Sequence, residues 1–158
     1  MVQTSKVTSK PTAQKTYYQA VGRRREASAQ VRLYPLSDKK SVVVHGQNIK
    51  AGDFLVNKKD VADYFPGEVN KVAYRGPLRV TKTLNDYAVT VLVYGGGKNG
   101  QLDAVVHGMA RALDTINHDE YRPLLKKSGF LTRDPRVKER RKAGLAGKAR
   151  KKKSSPKR

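Results

Sequence analysis

Residues 86–117 read DYAVTVLVYGGGKNGQLDAVVHGMARALDTIN, a strand, a glycine loop and a helix in succession. Residues 86–94 are almost entirely apolar and rich in β-branched and aromatic side chains. That is the pattern of a central strand covered on both faces. Gly95-Gly96-Gly97-Lys98-Asn99-Gly100 ends the run. Beyond it, Leu102, Val105, Val106, Met109, Leu113 and Ile116 recur at three and four residues, which predicts a helix to about Asn117 with one apolar stripe. Ala104, Gly108 and Ala112 form a row of small residues that permits close approach to a sheet.

Working outward, residues 17–21 and 27–34 read as short strands, with Gly22-Arg23-Arg24-Arg25 as a cationic turn between them. Residues 42–44 and 54–56 are further strand candidates, and His45-Gly46-Gln47-Asn48 reads as a turn. Residues 60–65 predict a short helix closed by Pro66-Gly67. Residues 68–84 are ambiguous and interrupted by Pro77. A second helix over about 119–127 ends near Gly129 as its C-cap. Strands early and helices late predict a two-layer α+β body.

The chain has 158 residues, with 34 Lys+Arg against 13 Asp+Glu and a net charge of +21. Such a charge opposes a compact monomer unless a polyanion neutralises it, and nucleic acid is the commonest polyanion. The charge is uneven. Residues 130–158 hold 13 Lys+Arg and only two acids, Asp134 and Glu139, with few apolar side chains. This segment buries too little surface to offset its ordering entropy, so it is expected to be an extended basic tail following a body over 16–129. Residues 1–15, rich in Ser, Thr and Lys, are expected to be a disordered extension without the apolar centre of a secretory signal. An amphipathic membrane helix needs an apolar face, which residues 138–153 lack. No run approaches the roughly 20 apolar residues of a membrane span. The absence of cysteine excludes disulfides and thiolate metal sites.

Gly95, Gly97 and Gly100 match G-x-G-x-x-G between a strand and a helix. A dinucleotide fold needs a further parallel strand after that helix, where this chain offers a second helix and a basic tail. The phosphate loop of nucleotide hydrolases needs a Lys where Gln101 stands. The loop physics still suits an RNA phosphate, because glycines admit a close backbone approach and the helix N-terminus presents free N–H groups. The plainer alternative is that the glycines serve only a tight turn. His45, His107 and His118 show no metal-ligand spacing, and nothing selects a carboxylate pair, so neither an enzyme nor a cofactor is expected. A DNA-compacting basic protein and a nucleotide-dependent kinase are the competing readings.

Three stretches, Gly22-Arg23-Arg24-Arg25, GGGKNGQLDAVVHGMARAL (95–113) and GFLTRDPRVKERRKAGLAGKARKKK (129–153) followed by Lys157-Arg158, together resemble the ninth protein of the bacterial small ribosomal subunit. The resemblance spans about residues 17–158 in order. It implies an α+β fold like the second domain of the fifth small-subunit protein. It also implies binding to small-subunit ribosomal RNA in the head, and a tail reaching the peptidyl-site tRNA. Its implied partners are ribosomal RNA, that tRNA and neighbouring small-subunit proteins, with no membrane and no homo-oligomer, in a ribosome-bound cytoplasmic setting. The expected RNA contacts are Arg23, Arg24, Arg25, Gly96, Gly97, Lys98 and Arg111 in the body. In the tail they are Arg133, Arg136, Lys138, Arg140, Arg141, Lys142, Lys148, Arg150, Lys151, Lys152 and Lys153, with Lys157 and Arg158 toward tRNA. Two departures stand out: Ser155-Pro156 replaces the family's aromatic-Ser before the last two residues, and residues 37–52 read as an inserted hairpin.

Overall fold

Seven strands and four helices make up the computed structural model, which describes residues 17–36, 41–44 and 46–151. The expected extension over 1–15 lies outside the described residues, as do His45 and residues 152–158. β1 (Tyr18–Arg24) and β2 (Ala27–Pro35) form an antiparallel hairpin with Arg24 opposite Ala27. Its two-residue turn is Arg25-Glu26, with Arg25 at φ 52°. The turn is therefore shorter than the sequence suggested. Gly22, Arg23 and Arg24 belong to the strand, where the β1–β2 ladder continues through all three.

β2 also pairs antiparallel with β7 (Tyr87–Tyr94). β3 (Val42–Val44) and β4 (Gln47–Ile49) form a separate antiparallel hairpin. β5 (Phe54–Val56) lies parallel to β7 and antiparallel to β6 (Lys59–Asp60), so the main sheet runs β1-β2-β7-β5-β6. Beyond β5, the Asn57 side-chain amide continues the pairing: its oxygen accepts from Val93 N–H at 2.9 Å and its nitrogen donates to Val93 C=O at 3.1 Å.

α1 (Val61–Tyr64) is capped by Asp60, whose carboxylate accepts from Ala62 N–H. α2 (Glu68–Val80) then leads back to β7. The two helices thus form the crossover between parallel neighbours, which the strands-then-helices reading did not anticipate. Pro77 does not break α2. It lies near the C-terminal end and its missing N–H removes one bond, while Tyr74, Pro77 and Leu78 form the buried stripe. Gly76 before it has no Cβ to meet the proline ring, which relieves the usual restriction on that residue.

Alternation divides the sheet. Ala29, Val31 and Leu33 of β2 and Val89, Val91 and Val93 of β7 face the helices in one large core. Tyr34 and Ala88 point the other way and pack with Val44 and Ile49 of the β3–β4 hairpin. Coverage on both sides explains why residues 86–94 are so apolar.

α3 (Lys98–Ile116) crosses β1 and β2, and α4 (His118–Lys127) follows. Leu102, Val105, Met109 and Leu113 are buried as the stripe predicted, and so is the row Ala104, Gly108 and Ala112. α4 ends in a Schellman motif, in which Gly129 N–H bonds Lys126 C=O and Phe130 N–H bonds Leu125 C=O. Phe130 then packs on Gly76, where a Cβ would stand 2.9 Å from its ring.

The tightest packing lies between α3 and β1. A Cβ on Gly22 would sit 1.9 Å from the Ala104 carbonyl oxygen and 2.3 Å from the Gly108 nitrogen. One on Gly108 would sit 2.8 Å from Val31 Cγ2 and 2.9 Å from the Gly22 nitrogen. Both obstacles include backbone, which cannot rotate away. Gly22→Ala is expected to destabilise by about 3–5 kcal/mol and Gly108→Ala by somewhat less. Gly97→Ala, whose Cβ would meet nothing within 4 Å, should cost about 0.5 kcal/mol as a poorer helix cap. Urea unfolding of the three variants checks the order.

Candidate nucleic-acid interface

The glycine loop separates into two kinds of residue. Gly95 and Gly96 have φ of 68° and 61°, and a Cβ on Gly95 would strike the Glu26 carbonyl oxygen at 2.4 Å. These two are needed to turn the chain against the β1–β2 hairpin. Gly97 has φ −105° and open space, so neither backbone nor packing requires glycine there. It is the N-cap of α3. No side chain caps that end, and no acid stands in its first turn. The first N–H groups of the helix therefore face outward with the positive end of its dipole.

Arg25, Gly96, Gly97, Lys98 and Asn99 line one surface cleft of about 400 Å³, with Glu26 also on its wall. Arg25 is exposed at the hairpin turn. Lys98 is braced: its Nζ sits 3.4 Å from the centre of the Tyr64 ring and donates to the Tyr64 carbonyl at 3.2 Å. Tyr64 in turn donates to Gln101 Oε1 at 3.0 Å, and Gln101 Nε2 donates to Gly95 C=O at 3.0 Å. These bonds tie the loop, α1 and the start of α3 together. The cleft is a fixed concavity rather than a flexible loop with a cation on it.

A second cleft holds Arg23, Arg24, His107, Arg133 and Asp134. Arg24 differs from its two neighbours. Its side chain is 11% exposed, and every guanidinium nitrogen has a partner inside the protein. Strand alternation explains this, because Gly22 and Arg24 share the face of β1 that meets α3. Burial, then the cations of Arg111 and Arg133, lower the His107 pKa, so the ring is neutral at pH 7. Arg111 lies on the exposed side of α3 and donates to Val21 C=O. The remaining histidine with described contacts, His118, faces Asp114 at 3.3 Å, and Arg122 bonds the same carboxylate at 3.0 Å. Among the described residues no group of three or more His, Cys, Asp or Glu is placed to hold a metal.

After Thr132 the tail has no regular secondary structure up to a set of turns at 143–147. Two of its cations are paired locally, Arg136 with Asp134 and Arg150 with Glu139. Arg133, Lys138, Arg140, Arg141, Lys142, Lys148 and Lys151 show no ion pair among the described residues. Lys152, Lys153, Lys157 and Arg158 lie outside them. The structure thus brings Arg25, Gly96, Gly97 and Lys98 together, and separately Arg23 with Arg133. Sequence reasoning missed Asp103 and Asp134 as partners of Arg24. One signal was present: Asp134 is one of only two acids among the last 29 residues.

The Arg136 guanidinium and backbone N–H, with Arg24 beside them, hold the Asp134 carboxyl well below the usual carboxylate range. Most of this lowering comes from Arg136, two residues along the same segment, and the smallest part from Arg24. The contacts around the carboxylate are fully present above the ordinary carboxylate value of about 3.9 and are lost as pH falls through the lowered one. A ¹³C-carboxyl titration of Asp134 should give a midpoint well below about 3.9.

No helix is long and apolar enough to cross a membrane among the described residues. No strand follows α3 among them either, so the arrangement is not that of a dinucleotide-binding unit. The family model for ribosomal protein S9/S16 matches residues 22–158. That span takes in the Gly22–Arg24 strand end with Arg25 of the turn, the glycine loop with its helix and the basic tail, and the chain belongs to this family of structural, non-enzymatic proteins of the small ribosomal subunit that bind ribosomal RNA.

Proposed function

We propose that this chain is the ninth small-subunit protein, seated on ribosomal RNA of the head, with its basic tail reaching peptidyl-site tRNA. The observation that carries the reading is the joint occurrence of an uncapped helix N-terminus, an unrequired Gly97 and exposed Arg25 in one cleft of a family member whose tail keeps seven unpaired cations among the described residues. In this reading residues 16–129 are the RNA-seated body, built like the second domain of the fifth small-subunit protein. Residues 130–158 are an extended tail, and residues 1–15 are an extension. Residues 37–52 are an inserted hairpin, of which Val44 and Ile49 cover Tyr34 and Ala88 on the sheet face opposite the helices.

Each region has a distinct part. The α3 N-terminus and Arg25 receive a backbone phosphate, and Lys98, steadied by Tyr64, adds its charge at the rim. Arg23 and Arg133 offer cations at the second cleft, with Arg111 and Arg136 nearby. Lys138, Arg140, Arg141, Lys142, Lys148, Arg150 and Lys151 to Lys153 neutralise phosphates along the tail. Lys157 and Arg158 approach the tRNA. Phosphate contacts position a protein without reading bases, so specificity comes from RNA shape. Neighbouring small-subunit proteins complete the surroundings.

Three measurements test this. Deleting residues 137–158 removes 11 Lys+Arg and leaves the docked tail start. If half of them touch phosphate, the log-log salt slope of binding to small-subunit ribosomal RNA should flatten by about 4–5 units. An unchanged slope removes the tail from the interface. Gly97→Ala should weaken RNA binding about tenfold with little loss of stability, because a methyl group there blocks phosphate approach; unaltered affinity confines the loop to a turn. Removing only Lys157 and Arg158 should leave co-sedimentation with small subunits in high salt intact and raise the off-rate of peptidyl-site tRNA.

A further inference from the structure

We infer that Arg24 is a latch that fixes where the basic tail leaves the body, a positioning residue rather than a phosphate contact. Its Nε faces Asp103 of α3 at 3.4 Å. Its Nη1 donates to two tail carbonyls, Asp134 at 3.1 Å and Arg136 at 2.9 Å. Its Nη2 meets the Asp134 carboxylate at 2.9 Å. One guanidinium thus joins the sheet, the helix and the tail. The planar fork that could grip a phosphate is already filled on all three nitrogens.

The tail side is shaped to receive it. Asp134 also accepts from the Arg136 backbone N–H at 2.9 Å and from the Arg136 side chain at 2.6–3.1 Å. These local bonds curl residues 134–136 so that both carbonyls point at Arg24. Just before them, Phe130 rests on Gly76. The chain is therefore held at two points before it departs, one apolar and one ionic. Lysine could not replace Arg24, because a single ammonium cannot reach two carbonyls and two carboxylates in a plane.

The functional consequence rests on the RNA-binding reading above. A tail launched in one direction loses less freedom on binding than one hinged loosely at residue 129. Arg24 then contributes to affinity without releasing a counterion, since carboxylates already neutralise it.

The chain has no cysteine, so Thr115→Cys and Val137→Cys, both at exposed positions, accept a single pair of spin labels. In the full-length free protein the distance distribution between them should be narrow. It should broaden at least about twofold in Arg24→Ala, Arg24→Lys and Asp134→Asn. The last two variants carry the test if Arg24→Ala fails to fold, which circular dichroism reports. On binding to small-subunit ribosomal RNA, Arg24→Ala should weaken affinity roughly tenfold with the salt slope unchanged, whereas Arg25→Ala should lower the slope by about 0.7–0.9. Asp134→Asn makes the protein more positive, yet should bind more weakly. Distributions of native width in the variants, or a slope loss in Arg24→Ala equal to that in Arg25→Ala, would overturn the latch. If the unaltered chain does not bind the RNA, the RNA-binding reading fails instead, and the label distances still decide whether Arg24 holds the tail.

Discussion

The contact between Gly22 of β1 and Gly108 of α3 governs the rest of the molecule. Helix and strand backbones touch there with no side chain between them, as the missing space for a Cβ on either residue shows. Ala29, opposite Gly22 in the ladder, and Ala104 and Ala112 along α3 extend the same shallow floor. A helix seated so low brings its own side chains level with the end of β1. Asp103 then meets Arg24, two residues along the strand from Gly22 and on the same face. The same seating sets the start of α3 beside the β1–β2 turn, where Arg25, Gly97 and Lys98 share one cleft.

Charge is organised in two tiers around that contact. Some cations are consumed internally: Arg24 by Asp103 and Asp134, Arg136 by Asp134, Arg150 by Glu139 and Arg122 by Asp114. These pairs shape the polypeptide. Lys71 also pairs with Glu68; the other cations have no acidic partner among the described residues, which leaves self-repulsion that a phosphate backbone relieves. Arginine adjacent in sequence can belong to different tiers. Arg23 is exposed while Arg24 is nearly covered, because successive strand residues point to opposite faces, and Arg25 is exposed because it sits in the turn. Exposed surface ion pairs are individually weak. Arg24 differs because its guanidinium is nearly covered and is joined to two carbonyl contacts as well as two carboxylates.

Much of the fold was legible in the chain. The run over 86–94 and the stripe from Leu102 to Ile116 announced β7 and α3, since a continuous β-branched apolar run and a 3.6-residue period leave distinct traces over eight or more residues. Gly129 marked the end of α4 through its left-handed backbone. α2 was obscured by Pro77, because a proline signals a break unless its ring has a place in the apolar stripe, and that place exists only once Tyr74 and Leu78 are packed. The end of β1 was hidden by glycine and three arginines, a turn-like composition that a ladder partner on β2 overrides. The parallel pairing of β5 with β7 left no local trace either, since residues 54–56 and 89–91 meet only through the crossover.

The candidate site was half legible. Gly96, Gly97, Lys98 and the arginines near residue 24 could be named from charge and glycine content, which depend on residue type alone. Their grouping could not. Composition and periodicity by themselves determined an α+β body, a polyanionic partner and a basic tail, because charge sums and apolar spacing are properties of the linear order. Tertiary structure alone decided which glycine neither the turn nor the packing requires and which arginine is already occupied. Those answers depend on what lies within a few ångströms of each atom, and the neighbours of Gly97 and Arg24 come from parts of the chain that only folding brings together.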